Sequence, residues 1–214
     1  QAEVRREISQ MARARLELDG DPVRVRFIRW PTVSTPRTQL AFEALGRIWI
    51  RASRSGAIRR LTSDEFGSAL EFAPSWSPSG RWVAFVTAEG RGGGHVWKID
   101  STGLTAPVRL SSTRGDWTNP VWSPDGRSLV VAKGSGATAR DRGMIFNGWF
   151  DLVRLAATGG GETLLSTVAG SDWDLWDVER RQLPRASIDR QGRVYFLART
   201  LEESGNEETR VSHL

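Results

Sequence analysis

Apolar residues in this chain come in short unbroken runs, with little strict alternation and little helical spacing. Trp82-Val-Ala-Phe-Val86 and Ser128-Leu-Val-Val-Ala132 are short, β-branched or aromatic, and almost continuously apolar. Continuous apolarity over so few residues predicts strands covered on both faces. Each run comes after a polar tetrapeptide, Ser77-Pro-Ser-Gly80 or Ser123-Pro-Asp-Gly126. Proline at the second turn position presets φ for a type I turn, and glycine then accepts the left-handed conformation that closes a hairpin. Further turn signals stand at Ser53-Arg-Ser-Gly56, Ser101-Thr-Gly103 and Thr158-Gly-Gly-Gly161. The predicted unit is four short strands with turns between them.

That unit repeats. Pro74-Ser-Trp-Ser-Pro-Ser-Gly-Arg-Trp-Val-Ala-Phe85 returns 46 residues later as Pro120-Val-Trp-Ser-Pro-Asp-Gly-Arg-Ser-Leu-Val-Val131. An eroded copy, Thr32 to Phe42, lies 43 residues before the one that begins at Pro74, and a weaker one spans Ala186 to Phe196. Downstream halves match as well: Ile48-Trp-Ile with Arg60-Leu-Thr, His95-Val-Trp-Lys-Ile with Arg109-Leu-Ser, and more loosely Asp151-Leu-Val-Arg-Leu with Leu164-Leu-Ser. Such spacing falls in the roughly 40 to 50 residues of a propeller blade. The expected fold is all-β, a β-propeller of four-stranded antiparallel blades with about four visible. They run approximately over 23–70, 71–115, 116–170 and 171–214, after an N-terminal segment 1–22. A β-sandwich would not require the same turn and the same Trp at a fixed long period.

Departures from the repeat are local. Val4, Ile8, Met11 and Ala12 stand at helical spacing and predict a short amphipathic helix within residues 3–16. Its Arg13 and Arg15 fit a solvated face. Val23-Arg-Val-Arg-Phe-Ile28 alternates as a strand does. Gly134 to Gly148 is a polar, Gly-rich insertion of the kind that sits at one mouth of a propeller, where binding surfaces form.

Composition narrows the partners. The 214 residues carry a net charge of +5, but the arginines are scattered singly, so nucleic acid is not an expected partner. No uncharged apolar run approaches the ~18 residues of a membrane helix, and no apolar signal region comes after the opening Gln1. With no cysteine, disulfides and thiolate metal sites are excluded.

Catalytic signatures fail one by one. The two histidines, His95 and His213, are too few and too separated for a His-x-His metal cage. No Gly-x-Ser-x-Gly elbow occurs. Gly134-Ser-Gly-Ala-Thr-Ala139 imitates a phosphate loop, yet Arg140 to Gly148 has no helical periodicity to point amides at a pyrophosphate. The most distinctive local feature is Asp172-Trp-Asp-Leu-Trp-Asp177. Asp172, Asp174 and Asp177 could hold a cation, or Trp173 and Trp176 could anchor a protein partner. The plain alternative packs both Trp rings between blades and leaves the carboxylates in water. Expected catalytic, cofactor and metal residues in this chain are none.

The Trp-Ser-Pro-Asp-Gly-Arg signature, in a repeat that also carries an Ile/Val-Trp strand and an Arg-Leu-Thr end, resembles the TolB-like (WD40-like) propeller repeat. Val23-Arg-Val-Arg-Phe-Ile-Arg-Trp-Pro31, Ala41 to Trp49 and Gly93-Gly-His-Val-Trp-Lys98 are similar to the propeller region of large bacterial amidohydrolases. That resemblance covers about residues 20 to 200. It implies a C-terminal catalytic domain in the same polypeptide that would bind the metal, and a periplasmic or secreted location. The same repeat also occurs in protein-interaction modules of the bacterial envelope and in serine peptidases. Two departures stand out: Ser34-Thr-Pro-Arg-Thr replaces the usual turn in the first copy, and the units are fewer than a closed ring of this type holds, as in a piece of a longer protein.

Overall fold

The computed structural model describes residues 25, 27–35, 37–134, 149–169, 186–201 and 207–213. They form four antiparallel sheets. The first contains β1 (Arg29–Val33), β2 (Gln39–Ala44), β3 (Arg47–Ala52) and β4 (Ile58–Arg60). The second contains β5 (Leu70–Trp76), β6 (Trp82–Ala88), β7 (Val96–Asp100) and β8 (Val108–Arg109). The third contains β9 (Asp116–Trp122), β10 (Ser128–Gly134), β11 (Trp149–Ala156) and β12 (Glu162–Ala169), and the fourth β13 (Ser187–Ile188), β14 (Val194–Leu201) and β15 (Glu207–His213). Spatial order equals chain order in every sheet, so each is a simple meander. The first strands touch in succession, β1 with β5, β5 with β9 and β9 with β13, which puts them nearest the centre. Sheets that share an inner row and pack face to face are the blades of a propeller.

The apolar runs behave as their sequence dictates. Val83 to Thr87 of β6 are buried in an unbroken row, and so are Leu129 to Ala132 of β10. Alternate residues of each run then serve different interfaces. Val83 and Phe85 join Ala41, Ile48, Ile50 and Leu61 between the first two blades, whereas Ala84 and Val86 join Leu129, Val131, Val153 and Leu155 between the next two. Val130, Ala132 and Leu152 face the fourth blade with Val194 and Phe196. Each fully buried side chain of this size contributes roughly 2 kcal/mol.

The turn tetrapeptide recurs with the same bonds. The amides of Gly80 and Gly126 donate to the carbonyls of Ser77 and Ser123, both at 2.9 Å. The serine hydroxyls accept from the amides of Trp82 and Ser128, each at 3.0 Å. Ser34 repeats this with the amide of Gln39 at 3.1 Å, so the eroded first copy keeps the turn. Arg37 holds φ 67° where Gly80 has 71° and Gly126 has 68°. In the fourth blade Asp189 substitutes for serine, its carboxylate accepting from the Arg193 amide at 2.9 Å.

Tryptophan ties one blade to the next. The Trp76 indole N–H donates to the Thr32 carbonyl at 3.2 Å, and that of Trp122 donates to the Ser75 carbonyl at 3.0 Å. Thr32 and Ser75 occupy equivalent places on the preceding inner strand. Trp49 and Trp97 instead bond within their own sheets, to the Ala44 carbonyl and the Thr87 hydroxyl.

Of the alternating segment 23–28, the described residues Val25, Phe27 and Ile28 lie outside the first strand, and β1 begins at Arg29, opposite Glu43. The partner strand β2 ends at Ala44, one residue beyond Glu43.

Candidate functional site

The inner strands do not run straight. In β1, β5 and β9 the register breaks between Arg29 and Thr32, between Phe72 and Ser75, and opposite Val130 to Ala132. At each break a residue that precedes proline adopts the left-handed conformation: Trp30 at φ 47°, Ala73 at 50° and Asn119 at 50°. The conformation costs an L-residue about 1–2 kcal/mol, and a proline after it disfavours it further. The surrounding sheets must therefore impose it. The bulge turns the strand so that Pro74 and Trp76, or Pro120 and Trp122, are both buried.

These bulges wall a cleft of about 190 Å³ lined by Trp30, Thr32, Ala73, Pro74, Ser75, Asn119, Pro120, Val121 and Ala186. All four blades contribute to it. Trp30 is held from two sides, by Phe72 at 5.4 Å between ring centroids and by the Arg29 guanidinium at 4.9 Å. None of the described lining residues is ionisable, so what they offer a ligand is shape and neutral contacts. Among the described residues no three His, Asp or Glu side chains meet in a metal-binding group.

Ionisable groups are buried away from the cleft, at the blade junctions. Glu71 is fully buried, its Oε2 accepting from the Thr62 hydroxyl at 2.5 Å and the Ile48 amide at 3.1 Å. Arg47 and Arg60 each stand 3.7 Å from Oε1. Burial pushes the Glu71 carboxyl above the usual range, against the pull of these partners. His95 is nine-tenths buried, with Nδ1 at 3.0 Å from the Ser111 hydroxyl. Its pKa is lowered, first by burial and then by Arg109 and Arg114.

Asp172, Trp173, Asp174, Trp176 and Asp177 lie outside the described residues, as do residues 1–24 and 135–148. Of the insertion, Gly134 ends β10 and Trp149 opens β11. The cleft residues were not singled out by sequence. Their signal was present as Trp30-Pro31, Ala73-Pro74 and Asn119-Pro120, spaced by the blade period.

Stacked antiparallel meanders, three of four strands and one of three among the described residues, around a central cleft define a β-propeller. The fold is that of a TolB-like β-propeller. No family model matches the chain. A Tol-Pal system protein TolB from Novosphingobium aromaticivorans is 39% identical over 79 residues, 36% of this chain and 16% of that relative. The solved structure of a TolB from Agrobacterium tumefaciens has a TM-score of 0.60 at 16% identity, covering 88% of this chain and 58% of that one. The uncharacterized peptidase YuxL of Bacillus subtilis is 31% identical over 97 residues, 44% of this chain and 14% of that relative. The matches thus span a small part of each curated relative.

Proposed function

We propose that this chain is the non-catalytic propeller region of a larger hydrolase, which admits or positions substrate for catalytic groups carried elsewhere in the same polypeptide. One observation carries the reading: the central cleft is assembled from all four blades, yet none of its described lining residues is ionisable. Such a site sorts ligands by shape and leaves the chemistry to another domain. The peptidase class is favoured by the similarity to YuxL; the metal-dependent amidohydrolase class rests on the segments around Trp30, Trp49 and Trp97. In either case the metal or nucleophile belongs to the catalytic domain, and a periplasmic or secreted location goes with the reading. The test is to isolate the intact native polypeptide and this chain alone, and to assay both with peptide and amide substrates. Hydrolysis by the intact polypeptide only is the expected result. An intact polypeptide with no further domain and no hydrolysis would sink it.

A second reading is favoured by the similarity to TolB: a protein-interaction module of the envelope. Cross-linking in an envelope extract should then capture a defined partner, and that capture should be lost when the cleft is filled by Ala73→Leu. Unchanged capture by the variant would count against the cleft as the contact.

A further inference from the structure

The second and third blades are joined by the linker Leu110 to Gly115, which runs straight into β9 and so into the cleft wall at Asn119 to Val121. Six fastenings hold it. The Leu110 amide donates to the Val96 carbonyl at 2.8 Å, and Gly94 and Gly115 exchange backbone bonds at 2.9 and 3.1 Å. The Ser112 and Thr113 amides donate to Glu162 Oε1 at 2.7 and 2.8 Å. Lys133 donates to the Thr113 hydroxyl at 2.7 Å and lies 3.6 Å from Glu162. Arg114 is paired with Glu89. The sixth fastening is His95, through Ser111.

Its protonation state matters to that contact. The Ser111 hydroxyl oxygen accepts from the Val96 amide at 3.1 Å and lies 3.0 Å from His95 Nδ1. A neutral ring with its proton on Nε2 lets Nδ1 accept the serine hydrogen. A second proton makes Nδ1 a donor, leaves the serine hydrogen to find another acceptor, and adds a positive charge to a buried place. The charged groups facing the ring are Arg109 from β8, Arg114 from the linker, Glu89 from the end of β6 and Glu162 from β12. Both carboxylates are already committed, Glu89 to Arg114 and Glu162 to Ser112, Thr113 and Lys133.

We propose that His95 is the proton sensor of an acid-sensitive hinge: when its ring takes a second proton, the linker Leu110–Gly115 loosens and the second and third blades part locally, moving the β9 wall of the cleft. The device does not depend on what the cleft binds. Linkage sets the sign. The folded state holds the ring neutral, with a lowered pKa, so the contribution is present above the ordinary histidine value and is lost as pH falls below it.

The full chain is monitored by NMR of its two histidine rings and by amide exchange across about pH 5 to 8. Protection at 110–116, corrected for intrinsic rates, should fall as pH drops from the ordinary histidine value to the lower midpoint at which the folded His95 ring titrates, by at most about tenfold per pH unit, the ceiling for one proton, and should level off below that midpoint. Amides of β2 and β3 should hold level. His95→Gln should abolish the fall. Level protection between the ordinary histidine value and the His95 midpoint, or an unchanged fall in His95→Gln, overturns the proposal. If that variant does not fold, the wild-type curves decide alone: the fall lies above the His95 ring midpoint and ends at it, or the sensor is not His95.

Discussion

Replacing Trp122 by phenylalanine separates the tie between blades from simple packing. The ring is buried in the core between the second and third blades, and its N–H meets the Ser75 carbonyl of the neighbouring inner strand at 3.0 Å. Phenylalanine keeps most of the apolar contact but has no donor. An orphaned, partly buried carbonyl costs about 1–2 kcal/mol. The gap left by the smaller ring adds about 1 kcal/mol. A total of about 2–3 kcal/mol, at a urea slope of about 2–3 kcal/mol per molar, lowers the unfolding midpoint by about 1 M. Trp49→Phe is the control, because its N–H donates to the Ala44 carbonyl within its own sheet. Amide exchange should rise in β5 and β9 in Trp122→Phe and stay unchanged there in Trp49→Phe. A midpoint shift below about 0.3 M, or equal loosening of β5 and β9 in both variants, would refute the idea that this hydrogen bond fastens the blades.

Other substitutions test the turns and the buried carboxylate. Arg37→Gly should stabilise by about 1 kcal/mol, since Arg37 occupies the left-handed position that glycine fills at 80 and 126; thermal unfolding would show a rise of about 2–4 °C. Gly80→Ala should cost more than Gly126→Ala, because an added Cβ would meet the Thr35 carbonyl oxygen at 2.6 Å in one case and only Pro78 Cδ at 3.8 Å in the other. For Glu71 the folded state holds the proton more tightly than the unfolded chain, so stability falls as pH rises from the ordinary carboxylate range toward the raised value. Denaturant midpoints of Glu71→Gln should lack that decline, and a wild type whose stability instead rose through that window would contradict the assignment.

The parts of this fold that were legible in the sequence are those whose physics is local. Ser-Pro-Asp-Gly reads as a turn because proline and glycine fix its dihedrals, and Trp82 to Val86 reads as a twice-covered strand because no residue in it tolerates water. The illegible parts depend on the neighbouring blade. Nothing in Ala73-Pro74 announces φ 50°, since a residue before proline normally prefers extended backbone; the bulge exists because it lets Pro74 and Trp76 both be buried. Arg37 carries no sign that it will act as a glycine, and the turn holds because Ser34 makes the same bonds as Ser77. Glu71 looks like an ordinary surface residue until Arg47, Arg60 and Thr62 are brought around it from the first blade.

The same distinction explains why function was less legible than fold. The blade repeat makes inner-strand positions equivalent in backbone but free in side chain, so Trp30, Ala73 and Asn119 share one conformation and three chemistries. A repeat search weights what recurs, and therefore passes over the positions at which a propeller is differentiated. Strain that recurs in three blades argues for architecture, because a device built for one ligand would not need to appear in each. Difference within that architecture is where specificity must lie: an indole held between Phe72 and Arg29 on one side of the cleft, and an amide of Asn119 on another, with a methyl group between them. On the proposed function, a ligand selected there is chosen by shape and by neutral contact with these three residues.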